Sequence, residues 1–453
     1  MSACERAIDY AKAKGIDECE AVNVKRKTIT VRITDSQIAE TKENAEQLIG
    51  IRIIHGKKIS SAQTSIVENY KKTIDQALEL SNITKPKPFW KSLAQNSKQK
   101  IPLEGVFDKK LSEITGIEAS DIAQTMIDSA LNPKIDSISG SLNIVAEDFT
   151  IANTNGLRCN DEATYIAGII NADSNVGTLP VSGIGHASCR TLQNFTPTQI
   201  GKDSVEMCVK SINPQHCEFE TCSVIFEPYS VGEILSFVLS ANFNIKTYTE
   251  KRSCFSEKIG QVISAKNFDL VDDPHAPEGI GTKSFDDEGT PTKIRPLIED
   301  GVFKNVYSDL YNAFKEGKES SGNASRPGSP MGRDAEPIPA PSPHNLRIKN
   351  GDSTPEEMIK DTKKGIVVGR LWYTYAVNPI KGDFSCTARS GIRIIEDGKI
   401  KNPGKSVRIV HNLKTLLEKI SAIGNDSRNV LQWASLPSIC PSLRVDEIKI
   451  IPI

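Results

Sequence analysis

Turn signals constrain this chain more than any other feature. Asn155-Gly156, Glu288-Gly289, Asp300-Gly301 and Asp397-Gly398 each sit between stretches of extended character. Gly accepts positive φ without a Cβ clash, and Asn or Asp bonds its own backbone, so such steps reverse a strand onto its neighbour. Antiparallel hairpins are therefore the expected repeating unit. The clearest alternation is near the start. Residues 20–25 and 28–33 alternate apolar and polar, as half-buried strands do, and 37–40 and 48–54 add two more. A turn at 55–58 returns the chain through 59–64. Residues 1–18 and 69–81 instead place apolar side chains at helical spacing. Helix, strand meander and helix make an α+β domain over residues 1–84.

Residues 82–107, polar and Pro-bearing, read as a surface connection. A second α+β domain is expected over 108–212. Its helix at 119–131 has Ser120 and Asp121 as cap candidates, and a hairpin turns at Asn155-Gly156 between 149–157 and 163–173. A helix at 200–209 closes it. The third region, 218–453, begins with a strand at 222–226 and a helix at 231–239. The pair 293–298 and 302–309 reads as a hairpin, and 365–372 as one strand. Thr354 and Pro355 start a helix over 354–363, and 412–423 reads as another. A strand at 446–452 follows. The fold class is α+β, with N-terminal α/β sheet domains followed by a large, mainly antiparallel β C-terminal domain.

The 453 residues are too many for one ordinary core. A formal charge of -1 gives no electrostatic reason to expect nucleic acid as a partner. No apolar run reaches bilayer-spanning length, so no membrane role is expected. Residues 1–10 contain acids and read as an amphipathic helix, which makes the cytoplasm the expected compartment. Ten cysteines are scattered with no Cys-x-x-Cys pair. Cys217 and Cys222, beside His216, lack the two further ligands a zinc site needs and read as small apolar residues.

Several segments together resemble the TldD/PmbA family. They are the Gly50-Ile51-Arg52-Ile53-Ile54-His55-Gly56-Lys57 stretch, the Asn153-to-Leu157 turn, and Gly185 to Arg190. The acidic turn Asp286-Asp287-Glu288-Gly289 follows, with Ser321-Gly322-Asn323-Ala324-Ser325-Arg326 and the stretch from Asp383 to Ile394. The resemblance implies that the Ser/Gly/Pro-rich residues 318–348 are an ordered loop and not a linker. It also implies heterodimeric metallopeptidases in which one subunit type carries His-Glu-x-x-x-His on the helix near residue 231. Here that helix reads Gly232-Glu233-Ile234-Leu235-Ser236-Phe237. The family's remaining zinc ligand is a cysteine in a Gly-rich segment; Cys440 lies nearby without that pattern. No cofactor is thus expected in this chain, and zinc is expected in a partner subunit.

Asp286, Asp287 and Glu288, with Asp272 and Asp273 upstream, could hold a hard cation, but the spacing of a calcium loop is absent and a solvated turn is the plainer reading. His275 and His344 read as ordinary surface or core histidines. Ser188 and Ser385 lack a nucleophile elbow, and Gly279-Ile280-Gly281 lacks a nucleotide fingerprint. No catalytic residue is assigned. By resemblance, Asp287, Ser321, Gly322, Asn323, Arg326 and Asp383 are the expected substrate-binding residues. The chain is then a non-metal subunit beside a TldD-like zinc-bearing partner, acting on extended, unfolded or ribosomally made peptides. The alternatives are a homodimeric, non-catalytic peptide-binding protein with a closed chamber, and a lone metallopeptidase using His275, His344 and Cys440.

Overall fold

The computed structural model describes residues 2–96, 101–336, 338–431 and 436–453. Residues 97–100 of the expected connection and Pro337 of the expected loop lie outside these.

Six strands form the first sheet: β1 (Glu18–Thr34), β2 (Gln37–His55), β3 (Lys58–Thr64), β4 (Ser137–Asn153), β5 (Arg158–Ser174) and β6 (Val181–Cys189). Their order is β3-β2-β1-β4-β5-β6, antiparallel throughout. The boundary expected between residues 84 and 108 therefore does not divide the sheet, because β1 pairs with β4 along most of its length. Strands more than a hundred residues apart complete one another's ladders, which leaves no exposed edge at the join.

One face of this sheet carries helices. Ala3–Ala13 starts at Ser2, whose side chain makes a capping box with Glu5. Ala7, Ile8 and Ala11 from it meet Ile74 and Ala77 of Tyr70–Ser81 over Ile49, Ile51 and Ile53. The helix expected at 119–131 begins earlier, at Gly116, because Thr115, in a capping box with Glu118, supplies the cap expected of Ser120 or Asp121. Pro197–Val209 lies so close to β6 that a Cβ on Gly185 would stand 1.8 Å from the Ile200 carbonyl oxygen.

The other face meets the C-terminal half. Val22, Val24, Phe149 and Ile151 pack on Phe285, Leu310 and Ala335. This is why β2 is buried at every position from Ile49 to Ile54: the sheet is covered on both sides. The connection at 82–107 is likewise not wholly superficial, since Trp90 and Leu93 are buried against Ile54.

Beyond residue 220 the strands form a nine-stranded and a six-stranded sheet, each mostly antiparallel, and a two-stranded pair of Ala324–Ser325 with Ala340–Pro341. The expected strand at 365–372 is two: Lys364–Val368 pairs in parallel with Thr221–Phe226, and Arg370–Asn378 pairs with Asp383–Ser390. The hairpin at 293–309 exists as Arg295–Glu299 and the short Val302–Phe303; Asp309 then caps a helix, Leu310–Lys315. The helix expected at 412–423 ends at Glu418 and gives way to a strand, Ile420–Ile423. Leu443–Pro452 is central in the nine-stranded sheet, between Val407–Asn412 and Thr221–Phe226. Among the described residues no helix is long and apolar enough to cross a membrane.

The contact at Gly185 has a measurable consequence. Gly185→Ala forces the helix off the strand and is expected to lower stability by about 1–3 kcal/mol, read by urea denaturation. An unchanged midpoint would refute the tight packing.

Candidate functional site

Two places qualify as candidates: the acidic turn with the loop behind it, and the helix that begins at Pro228.

The turn forms because Asp286 folds the chain onto itself. Its Oδ1 accepts the amides of Glu288 and Thr290 at 3.0 and 2.8 Å, and Gly289 takes φ +81°. Its Oδ2 accepts the Ala324 amide at 3.0 Å, which ties the turn to the Ser321-to-Arg326 segment. Asp287 accepts the Arg326 amide at 2.6 Å and the Lys283 ammonium at 2.9 Å. Glu288 accepts from Arg52 Nη1 at 2.8 Å and from the Leu310 amide at 2.8 Å. Arg52 also donates to Glu20 at 2.9 Å, and Arg326 Nη2 donates to the other Glu20 oxygen at 2.5 Å.

The expectation of a solvated acidic turn is therefore wrong. Asp286, Asp287 and Glu288 are at most 1% exposed. Burial favours their neutral forms, while Lys283 and Arg333 hold Asp287 below the usual carboxylate range. Burial and the nearby Glu288 charge push Asp286 up, against three amides that favour its anion.

Of the six expected substrate residues, five meet here. Ser321 Oγ donates to Asn323 Oδ1 at 2.6 Å and accepts the Ser308 amide at 2.6 Å. Asn323 donates to Asp272 at 2.5 Å. Burial pushes Asp272 up to about 6. Gly322 takes φ +77°, and a Cβ there would lie 2.7 Å from the Pro291 carbonyl oxygen. Its carbonyl accepts from His344 Nε2 at 2.7 Å; burial, then the Lys283 charge, pushes that imidazole down to about 3 and keeps it neutral. Asp383 is elsewhere, at the start of Asp383–Ser390, accepting from Asn412 at 2.8 Å. None of the six lines the clefts of about 400, 230 and 150 Å³. The Ser/Gly/Pro-rich loop is packed inside, as Arg326 and Ala335 at 0% exposure show.

The second place starts at Pro228. Pro228–Ile234 is α-helical and Leu235–Leu239 is π-helical, a distortion frequent at functional positions. The larger cleft opens beside its first turn, where the His186 and Tyr229 rings lie 4.5 Å apart. The positions matching His-Glu-x-x-x-His are Gly232, Glu233 and Phe237. A Cβ on Gly232 would stand 2.6 Å from Val430 Cγ1, so a larger side chain has no room there. Cys440 Sγ donates to the Pro228 carbonyl at 3.1 Å, and burial pushes its thiol up to about 12. Glu233 accepts the Leu371 amide at 2.6 Å, and burial pushes its carboxyl up to about 8. Among the described residues no group of three or more His, Cys, Asp or Glu could hold a metal ion. The residues at this helix do not fit a zinc ion. The three ligands of the lone-enzyme alternative are dispersed: His275 meets Thr292, His344 meets Gly322 and Cys440 meets Pro228.

Residues 220–452 match the domain described as PmbA/TldA metallopeptidase C-terminal domain. The chain belongs to the PmbA/TldD family. Residues 19–81 match the family's domain 1. An uncharacterized protein of Methanocaldococcus jannaschii is 25% identical over 87% of this chain and 89% of its own length. Metalloprotease PmbA of Escherichia coli O157:H7 is 23% identical over 99% and 95%. The crystal structure of TldE from Thermococcus kodakarensis superposes with a TM-score of 0.90 at 23% identity, covering 99% of this chain and 100% of that one. The likeness to that structure establishes the fold.

Sequence reasoning missed Arg52 and Arg333, which pair with Glu288 and Asp287 of the acidic turn, and Glu20, which pairs with Arg326 across 306 residues. The one signal was Arg52 and Glu20 amid apolar strands.

Two outcomes follow. Arg52→Met leaves Glu20 and Glu288 buried with less compensating charge and is expected to cost about 3–5 kcal/mol in denaturant unfolding. Glu233 is protonated more readily folded than unfolded, so its contribution is full below about 4.5 and falls as pH rises through about 8. Glu233→Gln should flatten the stability–pH curve across that window, and a curve that keeps its slope counts against a buried, neutral carboxyl.

Proposed function

We propose that this chain is the PmbA/TldE-type companion subunit of a two-subunit metallopeptidase, with zinc held by a TldD-like relative. The observation that carries the reading is the helix at 228–239. It keeps the family's place in the fold, yet offers Gly232 and Phe237 where metal-bearing members place imidazoles, and Val430 fills the space above Gly232. Without two histidines in neighbouring turns, the helix provides no chelating pair for zinc.

The zinc, general base and polarised water then belong to the relative, and this chain contributes walls to a shared chamber. An extended, unfolded or ribosomally made peptide is the substrate class. Main-chain hydrogen bonds to a sheet edge recognise such a peptide with little regard for side chains. Within this chain, Asp287, Ser321, Gly322, Asn323 and Arg326 set the shape of the wall from behind, through the loop they anchor. Among the described residues Asp383 has no tie to that network. The cytoplasm is the compartment proposed.

The test uses the purified chain, its zinc-bearing relative from the same genome, and the two together. Metal content by mass spectrometry and cleavage of an unstructured peptide are measured for each. The pair should cleave, the chain alone should hold less than stoichiometric zinc, and Glu233→Gln in this chain should leave cleavage by the pair unchanged. Stoichiometric zinc with robust cleavage by the isolated chain would falsify the proposal.

A further inference from the structure

The strand Arg370–Asn378 is the edge of the nine-stranded sheet, hydrogen-bonded on one side to Asp383–Ser390. Edge strands are usually blunted by charge, brevity or cover. This one carries Tyr373 at 76%, Tyr375 at 47% and Val377 at 57% exposure. Tyr375 stands opposite Ser385, which stands opposite the exposed Val410; Ser385 is itself buried and accepts from Arg408, so this face alternates apolar side chains with a cation.

Three further observations mark the same strand. Tyr373 has φ +47°, a left-handed conformation that is a genuine outlier for a bulky residue, at a break in register between Trp372 and Tyr375. Such strain clusters at active sites, ligand clamps and switch regions. Trp372 Nε1 and Thr374 Oγ1 are buried with no hydrogen-bond partner among the described residues, and each orphan costs about 1–3 kcal/mol. The exposed guanidinium of Arg389 lies 4.6 Å from the Trp372 ring, and Arg408 donates to Ser385; neither forms an ion pair among the described residues.

Exposed Tyr, a Trp flanked by arginine and an unfinished ladder have the composition of an interface centre. We propose that Arg370–Asn378 and the adjoining face are the docking surface for the zinc-bearing relative, which lays an extended, carboxylate-bearing segment along this edge. The inference rests on the companion reading and adds its location. A second copy of this chain fits poorly, since a two-fold contact brings Arg389 and Arg408 against the same cations. A substrate peptide fits less well because the strand lines none of the three clefts and its face is broad and outward. At the strand's start Glu233 accepts the Leu371 amide, so the surface abuts the helix where metal-bearing members hold zinc.

The test is a titration of the full chain against its zinc-bearing relative, followed by mass photometry. Tyr375→Asp with Val377→Asp should weaken association at least about tenfold, and Arg389→Glu with Arg408→Glu should weaken it and reduce its salt dependence. Ile66→Asp, at an exposed position outside this face, should leave it unchanged. Circular dichroism melts confirm folding, and a photo-crosslinking residue at position 375 of the otherwise native chain should join the relative independently of those variants. Wild-type affinity in both double variants, with no crosslink, overturns the docking surface and leaves the companion role standing. No association of the unaltered proteins overturns both. A homodimer abolished by Tyr375→Asp with Val377→Asp assigns the face to a second copy and overturns the proposal.

Discussion

A chain of buried charges decides how the two halves of this protein meet. Glu20 and Arg52 stand directly opposite each other on β1 and β2 and point away from the helices. Arg52 reaches Glu288, and Glu20 reaches Arg326. Every one of these side chains is at most 4% exposed. Charges removed from water this completely persist only when each is met by an opposite charge or by hydrogen bonds of good geometry. The requirement works as a registry device. An apolar contact between sheet and loop could slide by a residue at modest cost, whereas a carboxylate moved one residue away from its guanidinium is left desolvated and alone.

The same network explains why so Gly-, Ser- and Pro-rich a loop is ordered. Residues 318–336 contain few large apolar groups, yet Asp286, Asp287 and Glu20 each accept hydrogen bonds from the Ala324-to-Arg326 stretch. Arg333 adds a second anchor, donating to Asp161 at 2.7 Å while its guanidinium lies 4.6 Å from the Phe149 ring. Polar ties here do what side-chain burial does elsewhere in the fold.

What could be read beforehand follows the range of the interactions. Hairpins, caps and alternation depend on neighbours in the chain, so the β1–β2–β3 meander, the turn at Asn155-Gly156 and the Thr354 cap were legible. Joining β1 to β4 depends on residues more than a hundred positions apart and left no local trace. The acidic turn failed for the same reason. Asp286 to Glu288 look solvated until Arg52 and Arg326 are placed beside them. At the candidate metal helix, the missing histidines were plain in the sequence, but the crowding of Gly232 by Val430 was not. A helix was expected there, and its change to π geometry depends on packing that periodicity does not encode.

The position of Leu443–Pro452 bears on biosynthesis. It lies between Val407–Asn412 and Thr221–Phe226 in the middle of the nine-stranded sheet, although it follows both in the sequence. On the ribosome, Thr221–Phe226 emerges more than two hundred residues before this neighbour exists, at about 5–20 residues per second. Nascent chains therefore spend many seconds with an apolar ladder open down its centre, a natural substrate for holding chaperones until translation has passed the final strand.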